Sequence, residues 1–457
     1  MAFITRFAKV ATLKLARLFK YSFSLNDEEK IIDDPELGLT FNLLENNTYG
    51  VSVLEGTALK DFNIPGTYND KKVTIINDNA FANAKDVNSV TINQGLISIG
   101  NYAFSECFKI ETITLPDSIS SIGEYSFSDC WLLSNVVLSK SLKTIGKCAF
   151  FRCSNIQELE LPDSITELGK GAFQACSSLT SFTLPHLLTT ISDNLLSGCQ
   201  SITSIKLHDE VTTIGEWAFA DCRSLESIDI PDGVKEIGTQ AFNNCSSLKR
   251  FTAKNVSIIG DSIFSDCDNL LEVSIDTSLT VEDYAFDHCV KLQTITINGN
   301  ALFGSWIFGD GIYSLRTITI NGTLSANRAS FSQCYNLSNL NVRDGIISTG
   351  VDAFHTCSSL KTINLSDSLE IIDNFCFCDS GLEEVTIPKS VKRIGNLAFA
   401  GCTKLTSFTY KGTISEWNNI EQGKNWNLRV PATKIICSDG SVDMPPIDYS
   451  YEGDEDL

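Results

Sequence analysis

The chain is short of positive charge, histidine and long apolar runs, and each shortage removes a class of function. Lysine and arginine number 35 against 56 acidic residues, a net charge of −21. A surface of that sign repels a phosphate backbone, so no nucleic-acid partner is expected, and it keeps the particle dissolved. No stretch approaches the roughly 18 consecutive apolar residues that a membrane span needs. The four histidines, His186, His208, His288 and His355, are scattered rather than gathered. Gly-x-Gly-x-x-Gly, Walker, His-Glu-x-x-His, Gly-x-Ser-x-Gly and EF-hand spacings are all absent. Paired acids such as Glu158 and Glu160 stand i, i+2 on the outer face of an expected strand, with no pocket to raise a pKa for acid–base work. The sequence therefore predicts no enzyme, no metal and no cofactor.

What is present is repetition. The unit Ile-Gly-x-x-Ala-Phe-x-x-Cys-x-x-Leu-x-x-Ile-x-Leu-Pro-Asp recurs at intervals of 22 or 23 residues, its aromatic running from Phe81 through Phe104 and Phe127 to Phe399, with Leu196 the one exception. A fixed period in the twenties marks a leucine-rich-repeat solenoid. Leu133, Val136 and Leu138 of one copy form a short strand with its apolar side chains inward. Ala-Phe with Cys three residues later reads as a helical or 3₁₀ turn that puts Phe and Cys on the same inner face. Gly100, Gly123, Gly146 and Gly169, four residues before the aromatic, suit a corner needing positive φ or close backbone approach. One unit cannot bury its own apolar face, but stacked neighbours can. The fold class is a mainly β repeat solenoid, a right-handed arc of about fifteen coils, ~70 Å long at ~4.8 Å per coil.

Twelve of the sixteen cysteines occupy one position of the repeat: Cys107, Cys130, Cys153, Cys176, Cys199, Cys222, Cys245, Cys267, Cys289, Cys334, Cys357 and Cys402. A ladder of one thiol per coil gives each rung two equal disulfide candidates, so reduced, buried thiols are expected. Whole-repeat spacing differs from the Cys-x₂-Cys of zinc sites. His288 beside Cys289, and His355 two residues before Cys357, are read as histidines pointing out beside thiols pointing in. Cys378, one residue past its aromatic, is the candidate for an exposed reactive thiol.

The repeated motif resembles the BspA-type (Treponema pallidum-type) leucine-rich repeats over roughly residues 76–410. The resemblance implies the solenoid fold and, for function, attachment to host proteins and other microbes at a microbial cell surface.

Along the chain, residues 1–20 carry Arg6, Lys9, Arg17 and Lys20 on one side of an amphipathic helical pattern, with Lys14 and Leu13 as intruders, followed by an acidic linker to residue 40. This leader lacks the uninterrupted apolar core of a secretory signal. Three readings stand: a helix capping the solenoid, a helix making peripheral membrane contact, or a poorly ordered or targeting leader. Residues 41–75 read as a degenerate capping repeat and 76–410 as the array, least regular between Ser262 and Ser330. Residues 411–442 read as a C-terminal cap with Trp417 and Ile420 on a short helix, and 443–457 as a disordered acidic tail.

The outward positions of the strand row remain for binding: Thr112, Thr114, Glu158, Glu160, Ser181, Thr183, Lys206, Asp229, Arg250, Glu272, Thr294 and Thr296. They are hydroxyl-rich and nearly free of aromatics, with Arg250 the strongest anchor candidate. The expected function is a monomeric, non-enzymatic solenoid that binds protein, surface-associated by resemblance. The alternative is an intracellular scaffold, since reduced thiols and the missing signal peptide fit the cytoplasm.

Overall fold

The computed structural model describes residues 30–309 and 312–447; the basic leader and most of the acidic tail lie outside them, as does Gly311. The chain winds into a β-solenoid of about 17 turns. Among the described residues the one α-helix is Ile414–Trp417, and no helix is long and apolar enough to cross a membrane.

Each coil has three sides. The first is the Leu-x-Ile-x-Leu strand, in which side chains alternate across the sheet. In Thr112–Thr114 the outer threonines are exposed while Ile113 is buried. Coil stacks on coil in parallel, Thr112 opposite Asn135 and Arg250 opposite Glu272 opposite Thr294. The second side is a row of strands mostly two residues long just before the glycine, such as Ser121–Ile122 and Thr144–Ile145, which the sequence reading did not identify. This row forms the longest repeat sheet, eight strands from Thr190–Ile191 to Ile346–Thr349.

The third side differs from the helical or 3₁₀ turn expected there. Alternate N–H groups close turns within the coil, as from Cys107 to the Phe104 carbonyl, while those between them donate to the next coil. Tyr102, Phe104 and Glu106 thus donate to Glu124, Ser126 and Ser128 at 2.8, 2.7 and 2.9 Å. That alternation requires left-handed residues on either side of each phenylalanine: Tyr102 and Glu106 have φ of 56° and 61°, Asp221 58° and Ala175 61°. Each costs about 1–2 kcal/mol for a residue with a Cβ, offset by ladder bonds that leave few N–H groups unpaired. The repeat glycine meets the other half of its expectation. A Cβ on Gly146 would lie 2.6 Å from the Glu124 nitrogen, so close backbone approach keeps it glycine.

The interior is a stack of rings. Phe81, Phe104, Phe127 and Phe150 follow one another at 5.1–5.2 Å, and Phe173 at 5.7 Å. There the stack stops, because Leu196 takes the next place; it resumes with Phe219 and Phe242 at 5.3 Å. The second strand row breaks at this same junction, while the face row crosses it through a single strand pair. Glu167–Leu168 bonds back to Thr144–Ile145 but not forward to Thr190–Ile191, and Ser181–Thr183 bonds only to Ser204–Lys206. The turn side also crosses the seam as a regular ladder, through Gly171, Phe173 and Ala175 donating to Asp193, Leu195 and Ser197.

Both ends are closed by antiparallel strands. Ile31–Asp34, Leu39–Leu43 and Tyr49–Val53 cover the first coil, with Phe41 stacked on Tyr68 at 3.8 Å. At the other end the Thr413–Glu416 capping box starts the short helix, Trp417 packs on Phe408 and Tyr410, and Lys434–Cys437 turns back onto Gly440–Asp443. The repeat strands thus end against these caps, and the outermost edges left are the four-residue strands Ile31–Asp34 and Gly440–Asp443.

Candidate binding face

The outward rows of the first side are built by the burial alternation itself: whatever the core does not use is displayed. Thr112, Thr114, Ser181, Thr183, Lys206 and Arg250 are exposed on paired strands, while Glu272, Thr294 and Thr296 are half-buried. The register sets Thr183 beside Lys206 and Ser274 beside Thr296. Arg250 and Glu272, both candidates from the sequence, come together as an ion pair at 3.6 Å, the arginine side chain still 72% exposed. Exposed pairs of this kind contribute about 0–1 kcal/mol, so Arg250 is held loosely and keeps donors for a partner.

Three candidates sit differently from the expectation. Glu158, Glu160 and Asp229 are exposed but lie on extended segments that pair with no neighbour, so they are not strand residues. Leu159, Leu161 and Ile230 are correspondingly only partly buried beneath them. The sector flagged as least regular, Ser262–Ser330, is instead part of the longest uninterrupted face sheet, the five strands from Arg250–Ala253 to Asn339–Val342.

That sheet ends in a groove of about 650 Å³ that sequence reasoning did not find. The next coil leaves the ladder at residues 361–364. Asn364 gives its carbonyl to the Ile346 N–H at 3.0 Å and uses its side-chain amide to reach the Val342 carbonyl at 2.9 Å. The two coils part, leaving Leu340 and Ile363 half-exposed, with Thr319, Asn321, Asn341, Thr362 and Thr386 around them and Arg343 and Lys411 also lining the hollow. Arg343 pairs with Asp344 and Lys411 with Asp367, so the groove is polar without a strong net charge. Its sequence, Thr-Ile-Asn-Leu, resembles every other strand, which is why no signal marked it.

The thiol ladder offers no chemistry. All sixteen cysteines are free, and fifteen are buried. Cys130, Cys153 and Cys176 each donate from Sγ to the phenylalanine carbonyl of the coil before, at 3.1–3.2 Å. Burial pushes the Cys176 thiol up to about 12. Cys378, the candidate reactive thiol, is half-buried, and burial together with the adjacent Asp379 carboxylate pushes it up to about 12. It is therefore protonated at neutral pH rather than an activated nucleophile. His186 and His208 come within 5.2 Å of each other, but no nucleophile joins them.

The chain matches the family model described as "BspA type Leucine rich repeat region" in six copies, over residues 47–180, 166–293 and 324–422. No curated protein matches it. Among solved structures it resembles a leucine-rich repeat protein from Bacteroides ovatus, at 27% identity and a TM-score of 0.62, covering 88% of this chain and 93% of that one. It also resembles a leucine-rich cell surface protein from Faecalibacterium prausnitzii, at 24% identity and a TM-score of 0.41, covering 86% and 97%.

Proposed function

Because the chain belongs to the BspA-type leucine-rich-repeat family, we propose that it is a non-enzymatic solenoid that binds protein through its strand face at a microbial cell surface. The observation that carries this reading is the five-strand face sheet running in register from Arg250 to Asn339 and opening into the polar groove. It is an extended surface free of core duties, with one flexible arginine, hydroxyl and amide rows, and a hollow large enough to seat protruding side chains. Solenoids bind partners on such faces. The surface location rests on the family resemblance.

A second reading, an intracellular scaffold, is favoured by one observation: sixteen free thiols suit a reducing compartment. Protease treatment of intact source cells, with a lysed control and immunodetection of the array, separates the two. Digestion on intact cells supports the surface role. Protection until lysis sinks it, and the search for partners moves to the cytoplasm.

A further inference from the structure

The repeat period stacks side chains that are far apart in sequence, and at one place it stacks metal ligands. His355 and Cys378 each follow their core phenylalanine, Phe354 and Phe377, by one residue, so they occupy the same position in neighbouring coils. Asp379 comes next, in left-handed backbone with φ 56°. Ligand atoms of these three residues all lie within 4.8 Å of one another. His355 Nε2 is 3.9 Å and Cys378 Sγ 3.6 Å from the same oxygen, Asp379 Oδ2. Two ligands of a tetrahedral zinc ion stand about 3.3–3.7 Å apart, from bond lengths of ~2.0–2.3 Å. Small side-chain adjustments therefore bring the three onto one ion.

Two features beyond the cluster point the same way. The other imidazole nitrogen, His355 Nδ1, faces Asp352 Oδ1 at 3.9 Å. A carboxylate there stands where it can accept from Nδ1–H once Nε2 binds an ion, the outer partner that metal-bound histidines generally have. Asp379 is seated by a missing side chain: a Cβ on Gly401 would lie 1.9 Å from Asp379 Oδ1, so the carboxylate fills space only glycine leaves. The backbone beneath is fixed by the turn ladder, Thr356 donating to Cys378 and Asp379 to Ala400 at 2.8 and 2.7 Å.

We propose that His355, Cys378 and Asp379 bind one zinc ion on the turn side of the solenoid, with Asp352 orienting the histidine and the fourth position open to water. One thiolate, one imidazole and one carboxylate form a donor set that zinc accepts and the hard cations calcium and magnesium do not. On binding, the Zn–S bond forms as the S–H proton passes to solvent, with no change of oxidation state. The site is independent of the strand face. Whole-repeat spacing is the ground for expecting no zinc, yet one full repeat is the spacing that brings His355 and Cys378 together here.

The test uses the full chain, stripped with chelator, with Co²⁺ as probe. One equivalent should give a tetrahedral cobalt spectrum with a thiolate-to-metal charge-transfer band, abolished by one equivalent of Zn²⁺. Cys378→Ser should remove the charge-transfer band while circular dichroism stays unchanged. His355→Ala should weaken binding strongly, and Asp352→Asn about tenfold or more. Absence of the band in the folded wild-type chain overturns the proposal, as does an unchanged band in Cys378→Ser. Should Cys378→Ser not fold, Asp379→Asn decides: unaltered cobalt affinity there also overturns it.

Discussion

The Cys176 thiol donates to the Phe150 carbonyl across 3.2 Å, one rung of a row in which the thiol of most coils grips the backbone of the coil before. The row makes stability depend on keeping buried thiols protonated. Burial pushes Cys107, Cys176 and Cys334 each from 9.0 up to about 12. Above pH ~9 the unfolded chain releases these protons while the folded chain retains them, so the unfolded state binds fewer protons and stability falls with rising pH. The contribution is complete below pH ~9 and is lost between ~9 and 12, at up to ~1.4 kcal/mol per pH unit for each thiol. Urea midpoints across this range should drop steeply, and Cys176→Ala should flatten the slope by about one proton.

Two backbone positions should respond to substitution with opposite signs. Gly146→Ala places a methyl 2.6 Å from the Glu124 nitrogen and 2.7 Å from the Gly123 carbonyl carbon, both backbone atoms that cannot turn aside. A loss of about 2–3 kcal/mol is expected. Ala175, at φ 61°, is the reverse case. Ala175→Gly should gain about 0.5–1 kcal/mol by removing left-handed strain. Denaturation of the two variants against wild type checks both, and an equal response would refute the turn geometry.

The C-terminal closure depends on Trp417, which is 2% exposed against Phe408 and Tyr410. Trp417→Ala should cost about 3–5 kcal/mol, concentrated in the last coils because stability in a solenoid is local. Limited proteolysis should then cut first beyond Ser407, and light scattering should show self-association through the uncovered Ser407–Tyr410 strand. A variant that stays monomeric and uniformly resistant would show that the cap is not protecting that edge.

On the face, Arg250→Ala, Thr296→Arg and Asn341→Ala alter outward side chains only. Each should shift stability by less than about 0.5 kcal/mol. The first removes the donor fork, the second adds bulk in the middle of the five-strand sheet, and the third changes the groove wall. Once a protein partner is in hand, calorimetric titration should show at least one of them weakening binding tenfold or more. Equal affinity in all three would move the contact off this face.

The interior was legible in the sequence because each inward position accepts few residue types and repeats them: Phe104, Cys107 and Ile113 recur as aromatic, thiol and aliphatic in coil after coil. Features made by backbone alone were not. Beside the asparagines and aspartates that favour this region, the left-handed residues include tyrosine, glutamate, alanine and tryptophan, since the ladder dictates their φ whatever the side chain, and residue type alone does not locate them. The second strand row is mostly two residues long, too short for alternation to show. The groove arises where residues 361–364 leave the ladder with an ordinary strand sequence, and the His355–Cys378–Asp379 cluster only when sequence is folded back by one period.

The seam after Phe173 has a mechanical meaning. A protein held by one end and pulled by a partner bears tension along its axis, and rows of parallel hydrogen bonds resist it by sharing the load. Between Glu167–Leu168 and Thr190–Ile191 the second strand row is not continuous and the ring stack is interrupted at Leu196, so the turn ladder and the one face pair, Ser181–Thr183 with Ser204–Lys206, carry the force. Under load the expected yield points are this seam and the groove, where the second row breaks again between Ile346–Thr349 and Ile371–Ile372, and the pieces at either end keep their closing caps.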